Sequence, residues 1–509
     1  MPSLATLFAV SAGIATVAYA ADAPKPKVVG VSFERTKKQV SQRLSLAGRG
    51  TVQLDLRNDD RLRYNINVTV GTPPQKFQLQ LDTGSSDTWL PDRFSDECVR
   101  TGCKHGVFEK ALSSTFKEFP TTDTFGTEYV DGTKVRGVFF SDTLEMGDFH
   151  IENMTMGLAT NITGTIETLE IDGGLMGIGY KSNEAIAIDN PSNAYPNVPT
   201  ELLQQGHISS LAYSLWLNDD DAQFGNILFG GVDIAKYDGE LVALPIVPSK
   251  PARIYKDFTV AFSGMTVTDK SGKNEYNKQN LTLPALLDSG STVTFLPDDL
   301  ALDVLQGVGA GLVENEWFVP CALGSQGASI NFSFGGAGGP TIPILLEDLC
   351  LPFTDIEDKK IPLDDGEQFC RFGILPMGDR GDDGLAAIFG DTFLRSTYAV
   401  YDLNQNVIAL AKANFNATDS IIEEITNSSI PGVMTTAEAI DAVATSPTVT
   451  IDFVQAFPTF EFAKAAAKQM SAAAPAVGQL PPRLSFQVVM SGFAVVIAGM
   501  LGGSLAVLW

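Results

Sequence analysis

The sequence predicts a mostly-β chain folded as two related lobes with a cleft between them. Three observations carry that prediction. Short runs rich in Val, Ile, Phe and Thr alternate with Gly, Asn and Asp from Tyr64 to about Ala413, the pattern of short strands joined by tight turns. An apolar stretch running into Asp-Thr/Ser-Gly-Ser-Ser/Thr occurs twice, at Leu79–Ser86 and at Ala285–Thr292. The chain has 509 residues, more than one hydrophobic core ordinarily serves.

Strand-like text is clearest at Tyr64–Val70, Phe77–Leu81, Phe258–Thr268 and Tyr398–Leu410, and Asp299–Leu305 reads as a short helix. Each Asp motif is followed roughly a hundred residues later by two apolar residues and a glycine. These are Leu175-Met176-Gly177 in the first half and Ile388-Phe389-Gly390 in the second. Matched motifs in matched order imply a duplicated unit. The boundary falls near Leu241–Lys256, giving an N-terminal lobe over 50–245 and a C-terminal lobe over 246–413.

A hydrophobic share of 44% with 19% charged residues is that of a globular protein, not of a disordered chain or a polytopic membrane protein. The formal net charge of −25 argues against nucleic acid as a partner, since phosphate backbones are read by basic surfaces. Such acidity serves solubility, or suits work at low pH or on cationic substrates, and composition does not separate these.

The ends of the chain differ from its middle. Residues 1–20 read as a signal peptide: an apolar run from Leu4 to Val17 precedes Ala18-Tyr19-Ala20, a small-x-small cleavage pattern, although no basic n-region leads it. Residues 21–49 carry seven basic residues against two acidic ones. That contrast with the acidic remainder suggests a removable propeptide, with Lys37-Lys38 and Arg49 as candidate cleavage points. Residues 414–485, rich in Ala, Thr, Ser and Pro, read as a stalk. Residues 486–509 contain no charge and are long enough to span a bilayer. No basic residue follows them, and small residues at Ser471–Ala474 precede a Pro-rich spacer, so they read as the end of a glycolipid-anchor signal. A transmembrane helix and a buried apolar tail are the alternatives. Seven Asn-x-Ser/Thr sequons, at Asn67, Asn153, Asn161, Asn280, Asn331, Asn416 and Asn427, are glycosylation candidates in a secretory context.

The paired motifs point to carboxyl chemistry. Asp82 and Asp288 each end an apolar strand, and Gly84 and Gly290 let the backbone turn sharply and approach a neighbour. Thr83, Ser85, Ser289 and Ser291 supply hydroxyls that can fix backbone and carboxylates. If the lobes meet face to face, the two carboxyls come close enough that both cannot ionise, and the pair keeps one proton. The ionised member then takes a proton from a bound water while the protonated one donates to a carbonyl oxygen. Neither a metal nor a cofactor is expected. His105, His150 and His207 lie outside any His-Glu-x-x-His text, no Gly-x-Ser-x-Gly occurs, and Gly335–Gly339 lacks the Lys-Ser/Thr that closes a phosphate loop.

Taken together, the two motifs identify a resemblance to the pepsin-like aspartic proteases over roughly Tyr64–Ala413, most closely to the fungal glycolipid-anchored, yapsin-like branch. Gly71-Thr72-Pro73-Pro74-Gln75, Trp89, Ile388–Arg395 and Tyr398–Leu403 carry it further. The resemblance implies the bilobal pepsin-like acid protease fold, with Asp82 and Asp288 as catalytic residues and a monomer cleaving protein or peptide substrates. It makes Tyr129 the flap tyrosine, with Asp131 and Gly132 beside it at the substrate, and Asp131 where some fungal relatives receive a basic side chain. Val130 stands where the family commonly has glycine. It also implies a Cys98–Cys103 disulfide and a Cys321–Cys370 disulfide with Cys350 free, a Cys321–Cys350 pair being the alternative. Two other readings share these features: an inactive peptide-binding member of the fold, and a cell-surface structural glycoprotein.

Overall fold

A computed structural model describes residues 28–442, apart from short breaks at 38–40, 47–51, 58–61, 104, 120–123, 131, 148, 165–172, 189, 220–221, 223, 251–252, 314–315, 353, 356–367 and 379–384, together with residues 458–473. The signal segment 1–20, Asp131 and the apolar end 486–509 lie outside the described residues. Among those described, no helix is long and apolar enough to cross a membrane.

The chain is mostly strand, as expected, and each Asp motif organises its half in the same way. Strand Gln75–Asp82 is flanked by Leu175–Gly177, which runs parallel to it and antiparallel to Thr88–Pro91. In the second half, Asn274–Leu287 has Ala387–Phe389 parallel beside it, and Ala387–Phe389 is antiparallel to Thr294–Leu296. The apolar–apolar–Gly segments are therefore the strands that back each motif. Buried rings stiffen the second copy: Phe389 packs edge-on to Phe393 at 4.8 Å, to Phe334 at 5.0 Å and to Phe332 at 5.1 Å. The expected helix runs Asp298–Val308 and buries Leu300, Ala301, Val304 and Leu305 on one face.

The halves are less separate than a cut at residue 245 suggests. Strands Thr397–Asp402 and Val407–Ala413 lie in one sheet with Ala212–Trp216 and Tyr237–Pro245 of the first half. All six residues of Thr397–Asp402 are buried, so this strand is covered on both faces as well as paired along both edges. The expected propeptide also contributes: Val29–Lys37 is a strand between Leu62–Val70 and Phe224–Phe229. Removing it would open that sheet unless another strand took its place. Cys98 is bonded to Cys103 and Cys321 to Cys370, leaving Cys350 buried as the thiol.

The stalk reading needs the largest correction. Ile422–Glu424 pairs with Gly231–Asp233, and Val433–Thr436 pairs with Tyr237–Pro245. Asp233 accepts hydrogen bonds from Ser420 Oγ at 2.7 Å and Ile421 N at 2.8 Å, and Ile425 is fully buried. Further on, the backbone N–H groups of Thr459 and Phe460 both donate to Gly307 O at 3.1 Å. Phe460, Phe462, Ala463 and Ala466 are buried against the second lobe. Phe460 lies over Gly307, where a side chain would collide with its ring. A composition of small and polar residues hid these few apolar anchors, the last of them on the helix Glu461–Ala473.

Candidate active site

Asp82 is the last residue of strand Gln75–Asp82, and Asp288 follows the end of Asn274–Leu287. Each motif closes a turn on its own carboxylate. Gly84 N donates to Asp82 Oδ1 and Gly290 N to Asp288 Oδ1, both at 2.8 Å. Ser85 Oγ donates to Asp82 Oδ2, and Ser291 Oγ donates to Asp288 Oδ2 at 2.7 Å. Both carboxyls thus keep the same pair of donors, one backbone and one hydroxyl.

The two turns are stitched together by their second residues. Thr83 Oγ1 donates to Leu287 O at 2.9 Å and accepts from Ser289 N at 3.0 Å. In return, Ser289 Oγ donates to Leu81 O at 3.0 Å and accepts from Thr83 N at 3.2 Å. Gln80 Nε2 adds a bond to Gly290 O at 3.0 Å. Thr83 and Ser289 are each 1% exposed, so these bonds are shielded from water and hold their geometry. A methyl group on Gly84 would collide with the Asp288 carboxyl, and one on Gly290 with that of Asp82. Only glycine allows this approach.

The outcome is that the Asp82 and Asp288 carboxyls lie side by side, each against the glycine of the other motif. Burial pushes Asp82 well above the usual carboxylate range, the charge of Asp288 adds to that, and the bond from Ser85 opposes it. Burial and the neighbouring carboxyl thus both favour a proton on Asp82. Among the described residues no group of His, Cys, Asp and Glu side chains is arranged to hold a metal ion.

Tyr129 stands at the tip of the hairpin formed by Thr124–Glu128 and Lys134–Met146, closed by bonds from Tyr129 N to Thr133 O and from Gly132 N to Tyr129 O, both 2.8 Å. Its hydroxyl accepts from Trp89 Nε1 at 2.7 Å. Val130 is 56% exposed at the tip, and Gly132 is exposed with a φ of +84°. The structure therefore brings together Asp82, Asp288 and the four hydroxyl residues, while the hairpin is tied to the same region through Trp89. Sequence reading missed Gln80, which gave no signal beyond an isolated polar residue in an apolar strand. It also missed Asp87, Glu184 and Tyr195 behind the hairpin.

Comparison with known proteins agrees with this arrangement. Residues 63–413 match the family model "Eukaryotic aspartyl protease". The chain is 36% identical over 408 residues to "Probable aspartic-type endopeptidase opsB" of Aspergillus fumigatus, covering 79% of each. It is 30% identical to "Aspartic proteinase yapsin-3" of Saccharomyces cerevisiae, covering 81% of this chain and 77% of that protein. The crystal structure of the aspartic proteinase from Irpex lacteus superposes with a TM-score of 0.56 at 21% identity, covering 77% of this chain and all of that one, a likeness of fold. With the motif, the fold and the relatives in agreement, the chain belongs to the eukaryotic aspartyl protease family and is a pepsin-like aspartic endopeptidase of the yapsin-like fungal branch.

Proposed function

We propose that Asp82 and Asp288 are the catalytic dyad and hydrolyse peptide bonds of protein substrates in acid, by general acid–base transfer to and from one water. The observation that carries this reading is the juxtaposition of two buried carboxyls, each against the other motif's glycine, whose surroundings repeat each other. The ionised member removes a proton from the water as it attacks the carbonyl carbon. The protonated member gives its proton to the carbonyl oxygen. In collapse of the tetrahedral species a proton passes to the leaving amine, and the pair returns to its starting charge. Thr83, Ser85, Ser289 and Ser291, with Gly84 and Gly290, keep both carboxyls in register. Tyr129 and Gly132 lie on the flap that closes over the peptide and excludes water.

The finer parts of the reading have separate supports. Asp131 would favour Lys or Arg next to the scissile bond. The cationic segment 21–49 would be removed on activation, leaving 50–245 and 246–413 as the catalytic lobes. A signal peptide, sequons and an uncharged end together favour secretion and a glycolipid anchor at the cell surface, with the enzyme acting as a monomer. The segments of 414–485 that dock on the lobes would keep the body close to the anchor.

Not every sequon suits a glycan. Asn67, Asn153, Asn280, Asn416 and Asn427 are exposed. Asn331 lies inside a sheet, and its Nδ2 donates to Thr266 Oγ1 and Thr268 Oγ1, both at 3.2 Å. Site-occupancy mass spectrometry of the secreted protein should find Asn331 bare while exposed sites are occupied; a glycan on Asn331 would contradict this placement.

Cleavage of a diverse peptide library across pH tests the reading as a whole. The expected result is endoproteolysis confined to the acid side, enriched for cuts beside Lys or Arg. Cleavage that is insensitive to pH would overturn the dyad reading. Acid-dependent cleavage without basic preference would remove only the role given to Asp131.

A further inference from the structure

Behind the dyad lies a second pair of buried carboxyls that hydrolysis does not use. Asp87 leads from the first motif into strand Thr88–Pro91, and Glu184 lies on the segment after Gly177. They are 4% and 0% exposed. Tyr195 ties them together: its hydroxyl donates to Asp87 Oδ1 at 2.6 Å, and its backbone N–H to Glu184 Oε2 at 2.8 Å. Ala185 N completes Asp87 through Oδ2 at 2.8 Å. Glu184 Oε1 is buried without a hydrogen-bond partner.

A charge on that buried oxygen would have no donor from the protein to stabilise it, so burial favours the protonated acid. Burial lifts Glu184 to about 9, opposed by the bond from Tyr195 N; the charge of Asp87 raises it further and that of Lys181 lowers it. Burial lifts Asp87 to about 6 against its bonds from Tyr195 and Ala185. Tyr195 faces both acids and Tyr129, and burial holds its own proton in place.

Tyr195 also supports the hairpin. Its ring stands edge-on to Phe139 at 5.8 Å, and Phe139 edge-on to Phe125 at 5.5 Å. Phe125 and Phe139 belong to the two strands that carry Tyr129. Two residues beyond Asp87, Trp89 bonds the Tyr129 hydroxyl directly.

We propose that Asp87, Glu184 and Tyr195 form a proton-dependent brace that positions the flap, firm in acid and loosened as the two acids ionise. The proposal rests on the flap assignment of Tyr129 made above, and Asp87 and Glu184 act in it as positioning residues. The sign follows from linkage. Both acids bind protons more tightly folded than unfolded, so their contribution is fully present below the ordinary carboxylate pKa of about 4 and declines as pH rises. Asp87 loses its part first, on the way to about 6, and Glu184 continues the loss toward about 9.

Glu184→Gln and Asp87→Asn keep an acceptor for Tyr195 N or Ala185 N and remove the titration. Tm measured from acid to neutral pH should coincide with that of the unaltered chain near pH 4, then exceed it by a margin that widens as pH rises. In the same variants, a rise of KM through about pH 6, where folded Asp87 ionises, should be lost in Asp87→Asn and kept in Glu184→Gln, whose Asp87 still ionises there. Tyr195→Phe, which removes one hydroxyl, should raise KM several-fold more than it lowers kcat. Variants whose Tm and KM follow pH in parallel with the unaltered chain would overturn the brace. If Glu184→Gln does not fold, the Asp87→Asn profile decides alone. Since Tm needs no turnover, a chain without peptidase activity would refute the dyad reading while leaving the thermal half of this test intact.

Discussion

Asp288→Asn is expected to lower kcat by about 10³-fold or more with little loss of fold, because one substitution removes half of a shared acid–base unit. Asparagine keeps the local bonds: its carbonyl oxygen accepts from Gly290 N as Asp288 Oδ1 does, and its amide can donate to Ser291 Oγ. What it lacks is a titratable proton. Asp82→Asn should give a similar loss, with Gly84 N and Ser85 Oγ as the corresponding partners. The two substitutions should not add, since either one already ends proton exchange within the pair. Asp82→Asn should also raise Tm at neutral pH. The folded pKa of Asp82 lies above its unfolded value, so its ionisation weakens the folded state as pH rises above the ordinary carboxylate range, and an amide has nothing to ionise. Single-turnover rates and thermal scans of the three variants check both points, and retention of more than a tenth of kcat by either single variant would contradict the roles assigned.

Phe460→Ala is expected to destabilise the protein by about 3–5 kcal/mol, the range for emptying a well-packed aromatic site. Phe460 is 5% exposed and packs on Phe462 with ring centroids 5.5 Å apart. Its backbone shares Gly307 O with Thr459. The carbonyl lies near the C-terminal end of helix Asp298–Val308, where the last turn leaves acceptors without partners inside the helix. The docked segment therefore supplies both apolar cover and hydrogen bonds to the second lobe. Thermal unfolding of Phe460→Ala, and of a chain ending after residue 457, should show comparable losses. A truncated chain with unchanged Tm would return the segment to the status of a loose tether.

These two regions show what the sequence reveals and what it hides. The dyad was legible because two copies of a short motif, each with its backing strand, repeat in the same order. Tyr129 and Trp89 were legible through resemblance. The cross-bonds of Thr83 and Ser289 were visible only as hydroxyl residues, since their partners Leu287 and Leu81 lie in the opposite lobe. The sharing of one sheet by Thr397–Asp402 and Ala212–Trp216 was hidden for the same reason: local patterning marks a strand but not its distant neighbour. Asp87 and Glu184 were passed over because acidic residues are seldom buried, and neither stands in a pattern that betrays burial. The docking of Phe460, Phe462, Ala463 and Ala466 was masked by the small and polar residues around them, although the spacing of Phe462, Ala463 and Ala466 on the helix is readable in retrospect.

The central claim is that Asp82 and Asp288 hold a single proton between them in the active enzyme. It is tested most directly by kcat/KM for one peptide substrate measured across the acid range. The account predicts a bell with two limbs, each falling about tenfold per pH unit, the acid limb marking protonation of both carboxyls and the other the loss of the shared proton. A rate that stays flat or climbs through neutrality, with no descending limb, would contradict it.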